Sequence, residues 1–135
     1  MTIERFEDID SWQKAGELTR IIYQHSNAGQ FAKDFGLRDQ IRGASVSIMS
    51  NIAEGFERGG NRELRQFLST AKGSCGEVRS QLYVALDQNY IVTADFDEMY
   101  QMTEEISRWT SGFMRYLSRS AFRGHKYTRT ATPEQ

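Results

Sequence analysis

Apolar residues recur every three or four positions along most of the chain, the spacing that gathers them on one face of an α-helix. Four segments show this pattern: from Asp8 or Asp10 to about Ser26, from about Phe35 to Arg58, from Asn61 to about Gln88, and from Thr93 or Asp95 to about Ser118. Short connections make consecutive helices antiparallel neighbours. The pattern therefore predicts an all-α fold, an up-down-up-down antiparallel four-helix bundle.

The ends of these segments carry helix-terminating and helix-starting residues. Gly59 and Gly60 are expected to end the second helix, because glycine tolerates the left-handed cap conformation. Asn61 is expected to be the N-cap of the third helix, accepting from a free first-turn amide. The inner stripe of the fourth helix is expected to comprise Met99, Met102, Ile106, Trp109, Phe113 and Leu117. We divide the chain into a bundle, residues 1–118, and a basic, mobile tail, residues 119–135.

Composition bounds the possible classes of protein. The 135 residues suit one domain, and the net charge of -1 argues against a strongly basic nucleic-acid-binding protein, although local patches can hide in a balanced total. Cys75 is the single cysteine, so no internal disulfide is possible. Because the N-terminal stretch is charged and polar, we expect that it is not a secretory signal, and no apolar stretch in the sequence approaches the ~18 residues of a membrane span. We expect a cytoplasmic protein without a membrane partner.

The second helix has no charged residue from Gly43 to Ala53. A bundle helix normally keeps a polar face toward water, so a helix that is small or apolar all round indicates a cover, most simply a second copy of the chain. Gly73 and Gly76 on the third helix cost about 1 kcal/mol each relative to alanine, and close contact with another helix would offset that cost. The alternative is that both glycines lie on a solvated face and simply weaken the helix. The residues assigned to an oligomer interface or a structural network are Gly43, Ser47, Met49, Ser50, Asn51, Glu54, Gly73, Ser74 and Glu77.

Asn51, Glu54 and Glu77 are candidates for an active site, because two carboxylates can serve acid and base chemistry when their pKa values differ. Neither histidine lies in that region: His25 is near a helix end and His125 is in the tail. No zinc spacing, di-iron motif or phosphate-binding loop is present in the sequence. We therefore expect no enzyme activity, no metal and no cofactor, and we interpret the polar residues as structural.

Basic residues form two helical lines. Arg65, Lys72 and Arg79 are seven residues apart and share one face of the third helix, and the fourth helix carries Arg108, Arg115 and Arg119. Such lines can bind phosphates, and an oligomer would multiply each weak contact. The alternative is that these are solvated charges on a balanced protein.

The motifs resemble one family in order along the chain: "FEDIDSWQKA", "FGLRDQIRGASVSIMSNIAEGFER" and "FLSTAKGSCGEV", followed by an aromatic-rich fourth helix. This is the four-helix-bundle family that is named for proteins encoded in intervening sequences of 23S ribosomal RNA genes. The resemblance implies a ring-shaped homo-oligomer, typically a pentamer, without enzyme activity. It also extends to the accessory protein of diversity-generating retroelements, which works with a reverse transcriptase and RNA.

Three functions remain open at this point. The first is an RNA-binding or ribonucleoprotein accessory module, with RNA or a nucleic-acid enzyme as partner. The second is a protein–protein interaction scaffold without a nucleic-acid role. The third is a small-molecule binder or enzyme within the bundle interior.

Overall fold

The computed structural model describes residues 2–119, which contain four α-helices and no strand. The helices are α1 (Asp10–Ser26), α2 (Phe35–Arg58), α3 (Asn61–Asp87) and α4 (Thr93–Arg119). Two short 3-10 turns that the sequence pattern did not predict lie at Phe6–Asp8 and Phe31–Lys33. Each helix packs on its chain neighbour and α1 packs on α4, which confirms the antiparallel bundle. Apart from Arg119, the predicted tail lies outside the described residues.

The core is the inner stripe of the four helices. Its fully buried side chains include Ile48, Ile52, Leu68, Leu82 and Ile106. Burying one such side chain is worth about 1.5–3 kcal/mol relative to leaving it in water, so these stripes supply the main driving force for folding. Within residues 2–119, no helix has the length and apolar character needed to cross a membrane.

Asp34 links the α1–α2 connection to the α3–α4 connection at one end of the bundle. One carboxylate oxygen accepts the backbone amide of Leu37 at 3.1 Å and caps α2. The other accepts the hydroxyl of Tyr90 at 2.9 Å, from the α3–α4 connection. The Tyr90 ring also stacks on Phe31, with centroids 5.3 Å apart. These contacts fix the α1–α2 connection against the α3–α4 connection.

The junction between α2 and α3 differs in one detail from the prediction. Gly59 adopts the expected left-handed conformation, with φ of 86°. The N-cap of α3, however, is Gly60, and Asn61 is the first helical residue. The Asn61 side-chain amide donates to the carbonyl of Leu117 at 3.1 Å. The prediction of Asn61 as an N-cap is therefore wrong, because its side chain satisfies a carbonyl at the end of α4, where intrahelical donors are lacking.

Trp109 is not part of the inner stripe of α4. Its side chain is 39% exposed, and the ammonium group of Lys14 on α1 lies 6.0 Å from its ring centroid. The nearest buried positions before and after Trp109 along α4 are Ile106 and Thr110. The polar threonine therefore lies inside the bundle, and the large indole ring lies at its edge. An amphipathic indole suits such a half-exposed position.

Gly55 is the point of closest approach between α2 and α3. A Cβ atom at this position would lie 2.6 Å from Cβ of Phe67 and 3.1 Å from Cδ1 of Leu64. Both distances are below ordinary van der Waals contact, and the 2.6 Å neighbour is fixed to the backbone. The hydrogen atom of glycine therefore sets how closely the two helices pack.

We predict that Gly55→Ala destabilises the protein by about 1–3 kcal/mol, because the added methyl group forces α2 and α3 apart. Gly112→Ala on α4 is the matched control, since its Cβ would meet only Arg115 at 3.8 Å. That change should stabilise the helix by up to about 1 kcal/mol. Urea unfolding measures both; a Gly55→Ala protein as stable as the wild type would contradict the packing argument.

Candidate nucleic-acid interface

The flank of α3 that faces α4 carries the basic line predicted from the sequence. Arg79 contacts α4 directly, where its Nη1 donates to the hydroxyls of Thr103 and Ser107, each at 3.4 Å. Its guanidinium group is therefore held between the two helices instead of extending into solvent. Lys72 lies two turns earlier on the same flank and is half-buried.

Lys72 and the fourth-helix arginines meet around one depression in the surface. This basic groove has a volume of about 440 Å³ and is lined by Lys72, Ser107, Arg108, Ser111 and Arg115. The lining comprises cations and hydroxyl groups, and no carboxylate belongs to it among the described residues. Gathered positive charges repel one another, so an anion bound among them would relieve that repulsion. The sequence alone could not show that the two basic lines face each other.

The other three predicted contacts, Arg65, Arg79 and Arg119, are not part of the groove lining. Arg65 is half-buried on α3, and its Nε is buried without a hydrogen-bond partner among residues 2–119. Arg119 is exposed in the last turn of α4. The structure therefore brings together Lys72, Arg108 and Arg115, with Arg79 beside them.

The opposite flank of α3 is hydrogen-bonded to α2 through a small network of polar side chains. The hydroxyl of Ser74 donates to that of Ser47 at 3.0 Å. The Asn51 side-chain amide lies 2.8 Å from the Ser47 carbonyl and 3.0 Å from its hydroxyl. Glu54 instead forms an ion pair with Arg58 on its own helix at 2.8 Å. Within the chain, the network comprises Ser47, Asn51 and Ser74, without Glu54.

The outer surface of α2 and α3 is the remaining candidate interface. Met49 does not lie on it, since its sulfur is 3.6 Å from the hydroxyl of Thr19 on α1 and its methyl group packs toward Gly16. The exposed positions of α2 and α3 include Gly43, Val46, Ser50, Gly73 and Glu77. A Cβ atom at Gly43 or Gly73 would meet nothing within 4 Å, so this surface has room for a neighbouring helix. We call these five residues the outer α2–α3 surface.

A family model for the 23S rRNA-intervening sequence protein matches residues 7–112. The chain belongs to this family. One solved structure with the same fold is a protein of unknown function from the S23 ribosomal protein family of Bacteroides thetaiotaomicron. It is 21% identical, with a TM-score of 0.70, and the match covers 78% of this chain and 98% of that one. No curated protein matches the chain. Neither name assigns an enzymatic activity.

Chemically reactive groups in this family member are few within the described part of the chain. No group of three or more His, Cys, Asp or Glu residues that could hold a metal ion occurs in residues 2–119. Cys75 is fully buried, and its thiol lies next to Ser107, which lines the basic groove. Burial raises the pKa of its thiol, although a hydrogen bond with Ser107 and the charges of Arg79 and Lys72 oppose the shift. The thiol therefore stays protonated and is a poor nucleophile.

We predict that Cys75 does not react with an aromatic disulfide reagent in the native protein at neutral pH. The thiol is both shielded from solvent and protonated, and the thiolate is the reactive form. In urea the same cysteine should react at the rate of a free thiol. A spectrophotometric thiol assay measures both rates, and rapid labelling of the folded protein would argue for an accessible, activated cysteine.

Proposed function

We propose that this protein is a non-enzymatic, homo-oligomeric RNA-binding module that acts as a ribonucleoprotein accessory in the cytoplasm, most simply as a pentamer. The observation that carries the proposal is the basic groove, where Lys72 of α3 meets Arg108 and Arg115 of α4. Cations and hydroxyl groups around one depression suit phosphate oxygens, which accept from both types of donor.

The distribution of charge supports an anionic ligand in this groove. The protein has a net charge of -1, so an attraction for anions must come from a local cluster of cations such as the groove lining. A second, mostly acidic depression on α4 adjoins the groove, because Arg108 lines both; its carboxylates are those of Asp97, Glu98, Glu104 and Glu105. A polyanion would therefore be attracted to one flank of α4 and repelled from the other, which would orient it along the α3–α4 groove.

Oligomerisation would convert a weak groove into a useful binding site. The outer α2–α3 surface has exposed glycines and Val46, which is 40% exposed. Because α3 bonds to α2 on one flank and faces α4 on the other, an assembly through the outer α2–α3 surface would leave each groove accessible. Several grooves on one RNA would then bind with an avidity greater than that of one copy.

We predict that Lys72→Gln, Arg108→Gln and Arg115→Gln together weaken RNA binding and flatten its salt dependence. Each lost phosphate contact removes about 0.7–0.9 from the slope of log affinity against log salt, so the triple change should reduce the slope by about two to three. Gel shift or anisotropy titrations with structured RNA between about 50 and 200 mM salt measure it.

The matched control replaces Arg5, Arg20 and Lys33 with glutamine, which removes the same charge from exposed positions away from the groove. This control should keep the wild-type slope. If the wild-type protein shifts no structured RNA at low salt and micromolar concentration, the RNA proposal is wrong, and the protein–protein scaffold becomes the better reading.

We predict that Val46→Arg with Gly73→Arg reduces the oligomer to a monomer, because both changes force a charge into the outer α2–α3 surface. Desolvating an unpaired charge costs several kcal/mol. Light scattering at micromolar concentration gives the mass. Gln24→Arg, an exposed position on α1, should leave the oligomer intact, and a monomeric mass for the unaltered protein would overturn the assembly.

A further inference from the structure

Beyond the basic groove, α3 and α4 expose a cluster of aromatic rings. Tyr83 is 51% exposed, and its ring centroid lies 4.9 Å from that of Phe96 and 5.9 Å from that of Tyr100. Phe96 and Tyr100 are themselves 5.4 Å apart, and Phe96 is buried. The buried ring anchors the other two, so Tyr83 is held in place while half of it remains accessible. We call Tyr83, Phe96 and Tyr100 the aromatic platform.

Arg79 connects the aromatic platform to the basic groove. Its Nη1 lies 3.4 Å from the hydroxyl of Ser107, which lines the groove. Its guanidinium carbon lies 6.0 Å from the ring centroid of Tyr100. Tyr83 follows Arg79 by one helical turn, so the two side chains are neighbours on the same flank of α3. The groove and the aromatic platform therefore form one continuous surface.

The charges at the aromatic platform differ from those of the groove. A hydrogen bond with Tyr100 is the main cause that raises the pKa of Tyr83, and the carboxylate of Glu104 raises it further. Because an unperturbed tyrosine already has a pKa near about 10, the phenol is neutral at physiological pH. A neutral ring beside a carboxylate is a poor place for a phosphate and a suitable place for the uncharged face of a nucleobase.

Given RNA in the basic groove as its premise, we propose that the aromatic platform is a stacking subsite for an unpaired base of the same RNA. Phosphates bind at Lys72, Arg108 and Arg115, and the strand continues past Arg79 to place a base on Tyr83. A base can stack on a side chain only when it is splayed out of a duplex. The protein therefore prefers RNA with a loop or a single-stranded end over a fully paired helix.

The test compares two RNAs of equal length on the full-length protein, one fully paired and one with an unpaired segment that carries 2-aminopurine. Tyr83→Leu should lower affinity for the unpaired RNA on the order of tenfold and leave duplex affinity unchanged. Tyr83→Phe keeps the ring and should bind like the wild type. Tyr23→Leu is the matched control, since Tyr23 is also exposed, with Arg42 4.5 Å from its ring, but lies on α1.

The fluorescence of 2-aminopurine distinguishes stacking from other contacts. The wild type and Tyr83→Phe should quench it on binding, and Tyr83→Leu should not. If RNA binds with a steep salt dependence but Tyr83→Leu retains full affinity and quenching, the stacking subsite is wrong while the groove stands. If no RNA binds to the wild type, both the groove and the subsite are overturned, and the aromatic platform would be assigned to a protein partner.

Discussion

The close packing of α2 against α3 is the contact on which the other features of the molecule depend. Gly55 allows the helices to approach until Leu64 and Phe67 fill the space that a side chain would occupy. Further along the same interface, Ser47 and Ser74 share a hydrogen bond at 3.0 Å. A directional polar contact inside an otherwise apolar interface penalises any slippage between the helices, because slippage would leave a hydroxyl unpaired.

Because these contacts fix the rotation of α3 against α2, they also determine which side chains α3 directs toward α4. With Ser74 directed toward α2, the helical period directs Lys72 and Arg79 toward α4. The hydroxyls of Thr103 and Ser107 receive Arg79 there, each at 3.4 Å. The helix α3 therefore packs on α2 with one flank and on α4 with the other. Its register determines which α4 side chains surround the basic groove.

Much of this arrangement could be predicted from the sequence, because the apolar stripes and glycine stops report directly on helix position. The errors concern side chains whose partner lies on another helix. Trp109 has the apolar character of a core residue but lies at the bundle edge over Lys14. Asn61 has the chemistry of an N-cap, yet it bonds to Leu117, a residue remote in sequence. Met49 has the character of an interface residue in the sequence, yet its side chain packs on α1. Periodicity describes one helix at a time and cannot give the rotation of its neighbours.

The same limit explains why the groove was visible in sequence only as two separate basic lines. Seven-residue spacing places Lys72 and Arg79 on one face, but only the packing of α3 on α4 brings Arg108 and Arg115 to Lys72. Within one chain this gives a small cluster of cations, whose affinity for a single phosphate would be modest in water. The groove and the outer α2–α3 surface lie on different sides of α3, so the proposed RNA binding and the proposed assembly would not compete. That separation is what would let copies of a weak groove act together on one polyanion.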